Sequence, residues 1–255
     1  GEDTSVMRTT IIPSVCEVLA RNYSYRNPEC YIFERGNEYI PVEGEVLPNE
    51  PERLGFGFYD TETKADFYDI KGVVEGLLSK LGAQKVEFEK ATAECGFDEF
   101  YAFHPGRVAV VKVNGEEIGI FGELHPRVLE NYGIDARAYV GKINVPEFMA
   151  SCVAQKTYKP LPKYPATTRD LSIVCDDDIP AALLEKTISK AVGSILEKVT
   201  LFDVYKGEQI EKGKKSVSYS ISMRSHDGTL TDEQADKAMK KVLEALKAIG
   251  AELRM

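Results

Sequence analysis

The strongest constraint on the fold lies in the last third of the chain. Arg169-Asp170-Leu171-Ser172 opens one strand, Leu201-Phe202-Asp203-Val204-Tyr205 forms a second, and Lys214-Lys215-Ser216 leads into a third that ends at Arg224. One amphipathic helix separates the first two strands and another follows the third, which predicts a βαββαβ unit. The stripe Leu184, Ile188, Ala191, Val192, ending at Gly193, marks the first helix, with Asp178 as its expected cap. The second buries Ala235, Ala238, Met239, Val242, Leu246 and Ile249, stops at Gly250, and begins at Thr231-Asp232-Glu233-Gln234, the spacing of a capping box. Along the strand from Ser216 to Ser225, Val217, Tyr219, Ile221 and Met223 fall on one face, and Ser218, Ser220, Ser222 and Arg224 on the other. If both helices cover the first face, the second is left polar and open, shared with Asp203 and Tyr205. Such a surface points to recognition, of RNA or of a ligand, rather than to catalysis.

A length of 255 residues accommodates two ordinary domains. Pro160, Pro162 and Pro165 disfavour both helix and central strand. The expected division is therefore residues 1–158, a linker or strap at 159–163, and residues 164–255. No apolar run approaches the length of a bilayer span, so no membrane partner is expected and the chain is cytoplasmic in character. Its five cysteines, Cys16, Cys30, Cys95, Cys152 and Cys175, lack metal-ligand spacing and read as reduced thiols, with no metal site expected. The chain opens Gly1-Glu2-Asp3 without an initiator Met, as a fragment would.

The net charge of −9 runs against a nucleic-acid binder, because a polyanionic partner is normally met by an excess of Lys and Arg. The charge is unevenly placed: residues 1–162 hold 17 basic and 26 acidic side chains, whereas residues 163–255 hold 15 of each. A neutral second domain can read bases but should hold phosphate weakly on its own.

In the first part, Ser14 to about Arg21 reads as a helix behind Pro13, and Tyr31–Arg35 with Glu38–Ile40 as a hairpin around Gly36-Asn37. Leu54, Phe56 and Phe58 alternate with Gly55 and Gly57, so something must pack closely on the bare side. Ile70, Val73, Val74, Leu77 and Leu81 have helical spacing before Gly82. Arg107–Val113 and Ile118–Glu123 flank Asn114-Gly115, which predicts a type I′ hairpin. The sum is an α+β domain with a largely antiparallel sheet. His104-Pro105-Gly106-Arg107 and His125-Pro126 resemble catalytic histidine settings, but their positions at a hairpin edge and a helix start favour structural roles, as does the lack of a nucleophile near Glu123.

Seven segments in order give this chain a family resemblance: Met7-Arg8-Thr9-Thr10-Ile11-Ile12-Pro13, Phe33-Glu34-Arg35-Gly36, Phe103-His104-Pro105-Gly106-Arg107, Gly122-Glu123-Leu124-His125-Pro126, Arg169-Asp170-Leu171-Ser172, Leu201-Phe202-Asp203-Val204-Tyr205 and Thr229-Leu230-Thr231-Asp232. Together they resemble the C-terminal part of the beta subunits of bacterial phenylalanyl-tRNA synthetases. The resemblance implies a degenerate class II synthetase-like module, followed by a ferredoxin-like domain that contacts the anticodon region of tRNA(Phe). It also implies a catalytic alpha subunit as partner in a heterotetramer, with ATP and Mg2+ used by the complete synthetase and none by this chain. A working class II site needs arginines on the α- and γ-phosphates, where charge builds during adenylation. Phe33-Glu34-Arg35-Gly36 puts an acid where the first would stand, and no G-x-G-x-x-x-R occurs. The missing arginines also argue against a single-chain organellar synthetase, and editing, which the family performs in another domain, is not expected here.

Strand alternation and resemblance together nominate an RNA-reading set. Tyr205 is the expected stacker, Arg169 and Arg224 phosphate or base-edge contacts, and Ser172, Ser220, Ser222 and Asp203 polar readers, with Lys214 and Lys215 beside them near Lys212. The exposed side of the Leu54, Phe56, Phe58 sheet and the helix around Val15 and Leu19 are the expected subunit interface. The alternative is a stand-alone small-molecule-binding or interaction module with a ferredoxin-like domain, which predicts stabilisation by a ligand and no affinity for RNA.

Overall fold

The computed structural model describes residues 5–63, 65–153, 158, 160–225 and 227–254. Lys159 of the expected linker lies outside the described residues. The chain divides into two units, Gly1–Thr157 and Tyr158–Met255.

The first unit contains α1 (Ile12–Ser24), β1 (Glu29–Asn37), β2 (Glu52–Asp60), α2 (Phe67–Leu81), β3 (Val86–Lys90), a 3-10 turn (Asp98–Ala102), β4 (Phe103–Val113), β5 (Glu116–Leu124), α3 (Pro126–Asn131), β6 (Ala138–Asn144) and α4 (Val145–Ser151). Its six strands form one antiparallel sheet in the order β1-β2-β6-β5-β4-β3. On one face, Ile12, Val15, Cys16 and Leu19 of α1 pack against Val108, Val110, Ile120 and Val140. On the other, Ile70, Val74 and Leu78 of α2 and Phe148 of α4 pack against Phe56, Phe58, Phe121, Tyr139 and Ile143. The close packing expected beside Gly55 and Gly57 is supplied by α1. A Cβ at Gly57 would lie 2.9 Å from Cγ1 of both Val15 and Val140, and one at Gly55 3.0 Å from Ile11 Cγ2.

Local signals account for the element ends. Asn114 and Gly115 have φ of 55° and 90°, both positive as a type I′ turn requires. Gly82, with φ 77°, closes α2, whose start is a reciprocal Asp66/Asp69 cap. One expectation is overturned: β1 does not turn back at Gly36-Asn37 but runs through to Asn37 and pairs along its whole length with β2. The glycine at 36 is explained by Arg8, whose guanidinium lies where a Cβ would stand.

The interface candidates also need correction. Val15, Leu19, Phe56 and Phe58 are buried within the unit's own two cores, so they leave no apolar surface for a partner, and Leu54 is half-buried beside Leu77. The exposed part of that stripe lies one strand further out, at Tyr31 and Phe33 of the edge strand β1, which are 59% and 78% exposed.

The second unit contains β7 (Thr167–Asp176), α5 (Ala181–Val192), β8 (Leu196–Tyr205), β9 (Lys214–Met223), α6 (Asp232–Lys247) and β10 (Glu252–Leu253). This is the expected βαββαβ order, and the antiparallel sheet runs β10-β7-β9-β8. Both helices bury their stripes against Leu171, Ile173, Val217, Tyr219, Ile221 and Met223. Thr231 and Gln234 form the expected capping box. Asp178 does not cap α5, whose N-cap is Pro180, with no side-chain hydrogen bond there. Proline at that position holds the extended entry with its own ring.

Candidate nucleic-acid interface

The face of the second sheet turned away from α5 and α6 is built by alternation. Register aligns Asp203 of β8 with Ser218 of β9 and Ser172 of β7. Beside this row run Tyr205, Ser216 and Val174 on one side, and Thr200, Ser220 and Asp170 on the other. Ser222 follows, opposite Thr168 and Lys198. Tyr205, Asp203, Ser172, Ser220 and Ser222 therefore share one surface.

The surface is less open than alternation alone implies. Ser216 and Ser218 are buried, and Ser218 Oγ lies 2.8 Å from Ser172 Oγ. The cover comes from the chain's end. Arg254 donates its backbone N–H to Ser172 O at 2.9 Å, which carries its side chain across the face. Its guanidinium sits 5.4 Å from the centre of the Tyr205 ring and donates to Gln209 Oε1 at 3.2 Å and Ser216 Oγ at 3.4 Å. Gly207 lets the chain pass against the Tyr205 ring, leaving no room for a side chain there. Next to this stack, Val174, Gln209, Ile210, Glu211, Glu252, Leu253 and Arg254 line a cavity of about 270 Å3.

The basic candidates fall in different places. Arg224 makes a bidentate pair with Glu197, Nε to Oε1 at 3.0 Å and Nη2 to Oε2 at 3.1 Å, and also donates to Tyr164 O. Ser222 Oγ donates to the same carboxylate at 3.1 Å, and the Arg224 hydrogen bond holds Glu197 below the usual carboxylate range. Lys214 pairs with Glu211 at 2.9 Å, and Lys215 donates to Asp177 O at 2.9 Å. Arg169 is opposite Ile221 and so belongs to the helix side, where its guanidinium meets Asp232 of α6 at 2.7 Å and Asp236 at 3.6 Å. Sequence reasoning missed Arg254. The signal was present, because a βαββαβ order obliges a last strand after Gly250, and alternation there puts Arg254 on the face of Ser172.

In the first unit, His104 and His125 each accept a backbone N–H through Nδ1 at 3.1 Å, from Gly106 and Arg127, and His125 is the cap of α3. Glu123 is buried and doubly bonded to Arg107, at 2.5 and 2.9 Å. A buried charge cluster lies beneath the N-terminus of α1. Glu38, 1% exposed, accepts from Ile11 N at 2.9 Å, Arg53 Nε at 2.8 Å and Lys142 Nζ at 3.0 Å, and Lys142 also reaches Glu99. Arg35 is held bidentate by Glu52, at 2.8 and 3.0 Å. Among the described residues no three His, Cys, Asp or Glu side chains are grouped to hold a metal ion, and no helix is long and apolar enough to cross a membrane.

Residues 1–145 match the family described as phenylalanyl tRNA synthetase beta chain CLM domain, and residues 162–254 match the ferredoxin-fold anticodon binding domain. The chain is 43% identical over its full length to the phenylalanine–tRNA ligase beta subunit of Clostridium acetobutylicum, and covers 31% of that protein. It is 40% identical over 99% of its length to the same subunit of Symbiobacterium thermophilum, covering 29% of it. The chain thus spans about a third of the length of these relatives. A solved pyrrolysyl-tRNA synthetase from Desulfitobacterium hafniense overlays 56% of the chain, and 48% of its own, at 13% identity and a TM-score of 0.43, too slight a likeness to establish a common fold.

Proposed function

This chain belongs to the phenylalanyl-tRNA synthetase beta chain family, and on that premise we propose that its second unit reads the anticodon region of tRNA(Phe) while its first unit is a non-catalytic scaffold for the alpha subunit. The observation that supports the first half best is the polar face of Asp203, Ser172 and Ser220 beside an aromatic ring and a guanidinium. Unstacked bases lie on such a sheet, stack on an aromatic or arginine plane, and hydrogen-bond through their Watson–Crick edges. Asp203, Ser220 and Ser222 supply polar edges, and Tyr205 with Arg254 the stacking platform. Lys214 flanks the face for phosphate, whereas Lys215, opposite Cys175, falls on the helix side and does not.

The scaffold reading rests on what has happened to the charges of the first unit. In a degenerate class II synthetase-like module, cations on the sheet must not be left for nucleotide phosphates. Here Lys142 and Arg53 are neutralised by Glu38 and Glu99, Arg35 is held by Glu52, and α1 fills the face over Gly55 and Gly57. These pairings support a first unit that does not itself hold ATP or Mg2+, which on this reading belong to the complete synthetase and its catalytic alpha chain.

The test is binding of the purified chain to a tRNA(Phe) anticodon stem-loop and to the same hairpin with a scrambled anticodon, at two salt concentrations. Preference for the native loop at both is expected; equal, strongly salt-dependent binding would leave only a phosphate contact and refute base reading. The scaffold half has its own check, since phenylalanine-dependent exchange of pyrophosphate into ATP by the chain alone would contradict it.

A further inference from the structure

The connection between β1 and β2 is an arm with a fixed root and an exposed apolar tip. Its root is tied by two backbone bonds, Glu38 N–H to Pro51 O at 3.0 Å and Tyr39 N–H to Arg8 O at 2.9 Å, and the Glu38 side chain is locked in the buried cluster with Arg53 and Lys142. Ile40 and Asn49 then exchange both backbone bonds at 2.8 Å, a single antiparallel bridge that carries the arm outward. A turn follows, closed by Glu45 N–H to Val42 O at 3.1 Å, with Gly44 at φ 83°. Pro41, Pro48 and Pro51 limit the conformations the arm could lose on binding.

Beyond the turn stand Val46 and Leu47, 98% and 75% exposed, with Val42 at 43%. Adjacent, nearly fully exposed aliphatic side chains on a braced arm bring this chain no packing energy. The charge around them selects what they meet. From Tyr39 to Pro51 there are three glutamates, Glu43, Glu45 and Glu50, and no Lys or Arg. An acidic arm repels RNA phosphate, so its complement is a protein surface.

We infer that this arm is a docking element, with Val46 and Leu47 seating in an apolar pocket of the alpha subunit that is rimmed by basic side chains. The inference rests on the scaffold reading for the choice of partner, and adds to it the place of contact and the chemistry of the receiving site. The buried cluster of Glu38, Arg53, Lys142 and Glu99 thereby gains a role, because it fixes the direction in which the arm leaves the sheet.

The experiment uses the full-length beta subunit and the alpha subunit, with assembly measured by sedimentation across a dilution series. Val46→Asp/Leu47→Asp should weaken assembly about tenfold or more while leaving the melting temperature of the free beta subunit unchanged, as expected for a central apolar anchor. Glu43→Lys/Glu45→Lys should slow association and reverse its salt dependence at the rim. Wild-type subunits that assemble while both variants assemble equally well would overturn the arm alone. Wild-type subunits that do not assemble at all would overturn the scaffold reading and the arm with it.

Discussion

Lys142 shows how a single residue can be costly and still required. Its ammonium is buried between Glu38 and Glu99 and sits 5.8 Å from the centre of the Phe97 ring. Removing one partner of a buried ionic network leaves an uncompensated charge, typically at a cost of about 3–5 kcal/mol. Lys142→Met should therefore lower unfolding free energy by about that amount in urea titrations. Glu99 predicts a pH dependence. Burial alone would raise its pKa, but hydrogen bonds from Lys142 and Thr10, with the Lys142 charge, hold it below the ordinary value of 4.5. A carboxyl lowered by folding contributes stability that is complete above its unfolded value and is lost as pH falls through its folded one. Stability should accordingly decline below pH 4.5, and Glu99→Gln should flatten that decline in denaturation measured across the acid range. On the face proposed to read the anticodon, a stacked base would be worth roughly 1–3 kcal/mol, so Tyr205→Ala should weaken binding of the anticodon stem-loop about 5- to 150-fold, with Tyr205→Phe near wild type. Unchanged affinity in the alanine variant would remove Tyr205 from the interface.

At the scale of elements, the packing of α1 across β2 depends on the two missing side chains at Gly55 and Gly57. A methyl group at Gly57 would meet Val15, Val140 and the Tyr139 carbonyl at 2.9–3.0 Å, so Gly57→Ala should destabilise the first unit by roughly 1–3 kcal/mol, measured by thermal or denaturant unfolding. That close approach was legible in the alternation Leu54-Gly55-Phe56-Gly57-Phe58, as were the Asn114-Gly115 turn, the capping box at Thr231 and the βαββαβ order, because each is written in residues a few positions apart. Pairing between distant strands was not. Gly36-Asn37 reads locally as a turn, yet β1 continues because its partner lies beyond the arm and Arg8 needs the space at Gly36. The same limit applies to the polar face: alternation put Asp203, Tyr205, Ser172, Ser220 and Ser222 on one surface, but Arg254 reaches it only through pairing of β10 with β7. Exposure was the least legible property, since an apolar stripe at Phe56 and Phe58 looks alike whether it meets a partner or, as here, the unit's own core.

Across the whole molecule, charge is divided as the two proposed roles require. Residues 1–162 carry 17 basic and 26 acidic side chains, which keeps a scaffold from attracting tRNA, while residues 163–255 carry 15 of each. Four of the second unit's cations are paired internally: Arg169 with Asp232, Arg224 with Glu197, Lys214 with Glu211 and Lys206 with Asp177. A reader built in this way draws selectivity from base edges and stacking, and little affinity from released counterions. Its binding should therefore depend weakly on salt. For single-stranded nucleic acid each phosphate neutralised contributes about −0.7 to the slope of log K against log salt. With Lys214 and Arg224 engaged by carboxylates and Arg254 by Gln209 and Ser216, the anticodon stem-loop should titrate with a slope no steeper than about −2, equivalent to some three phosphate contacts. Titrations between about 50 and 200 mM salt decide the point: a shallow slope with retained anticodon preference supports reading by the sheet, whereas a slope of many units would mean that the internal ion pairs open to phosphate and that charge holds the RNA.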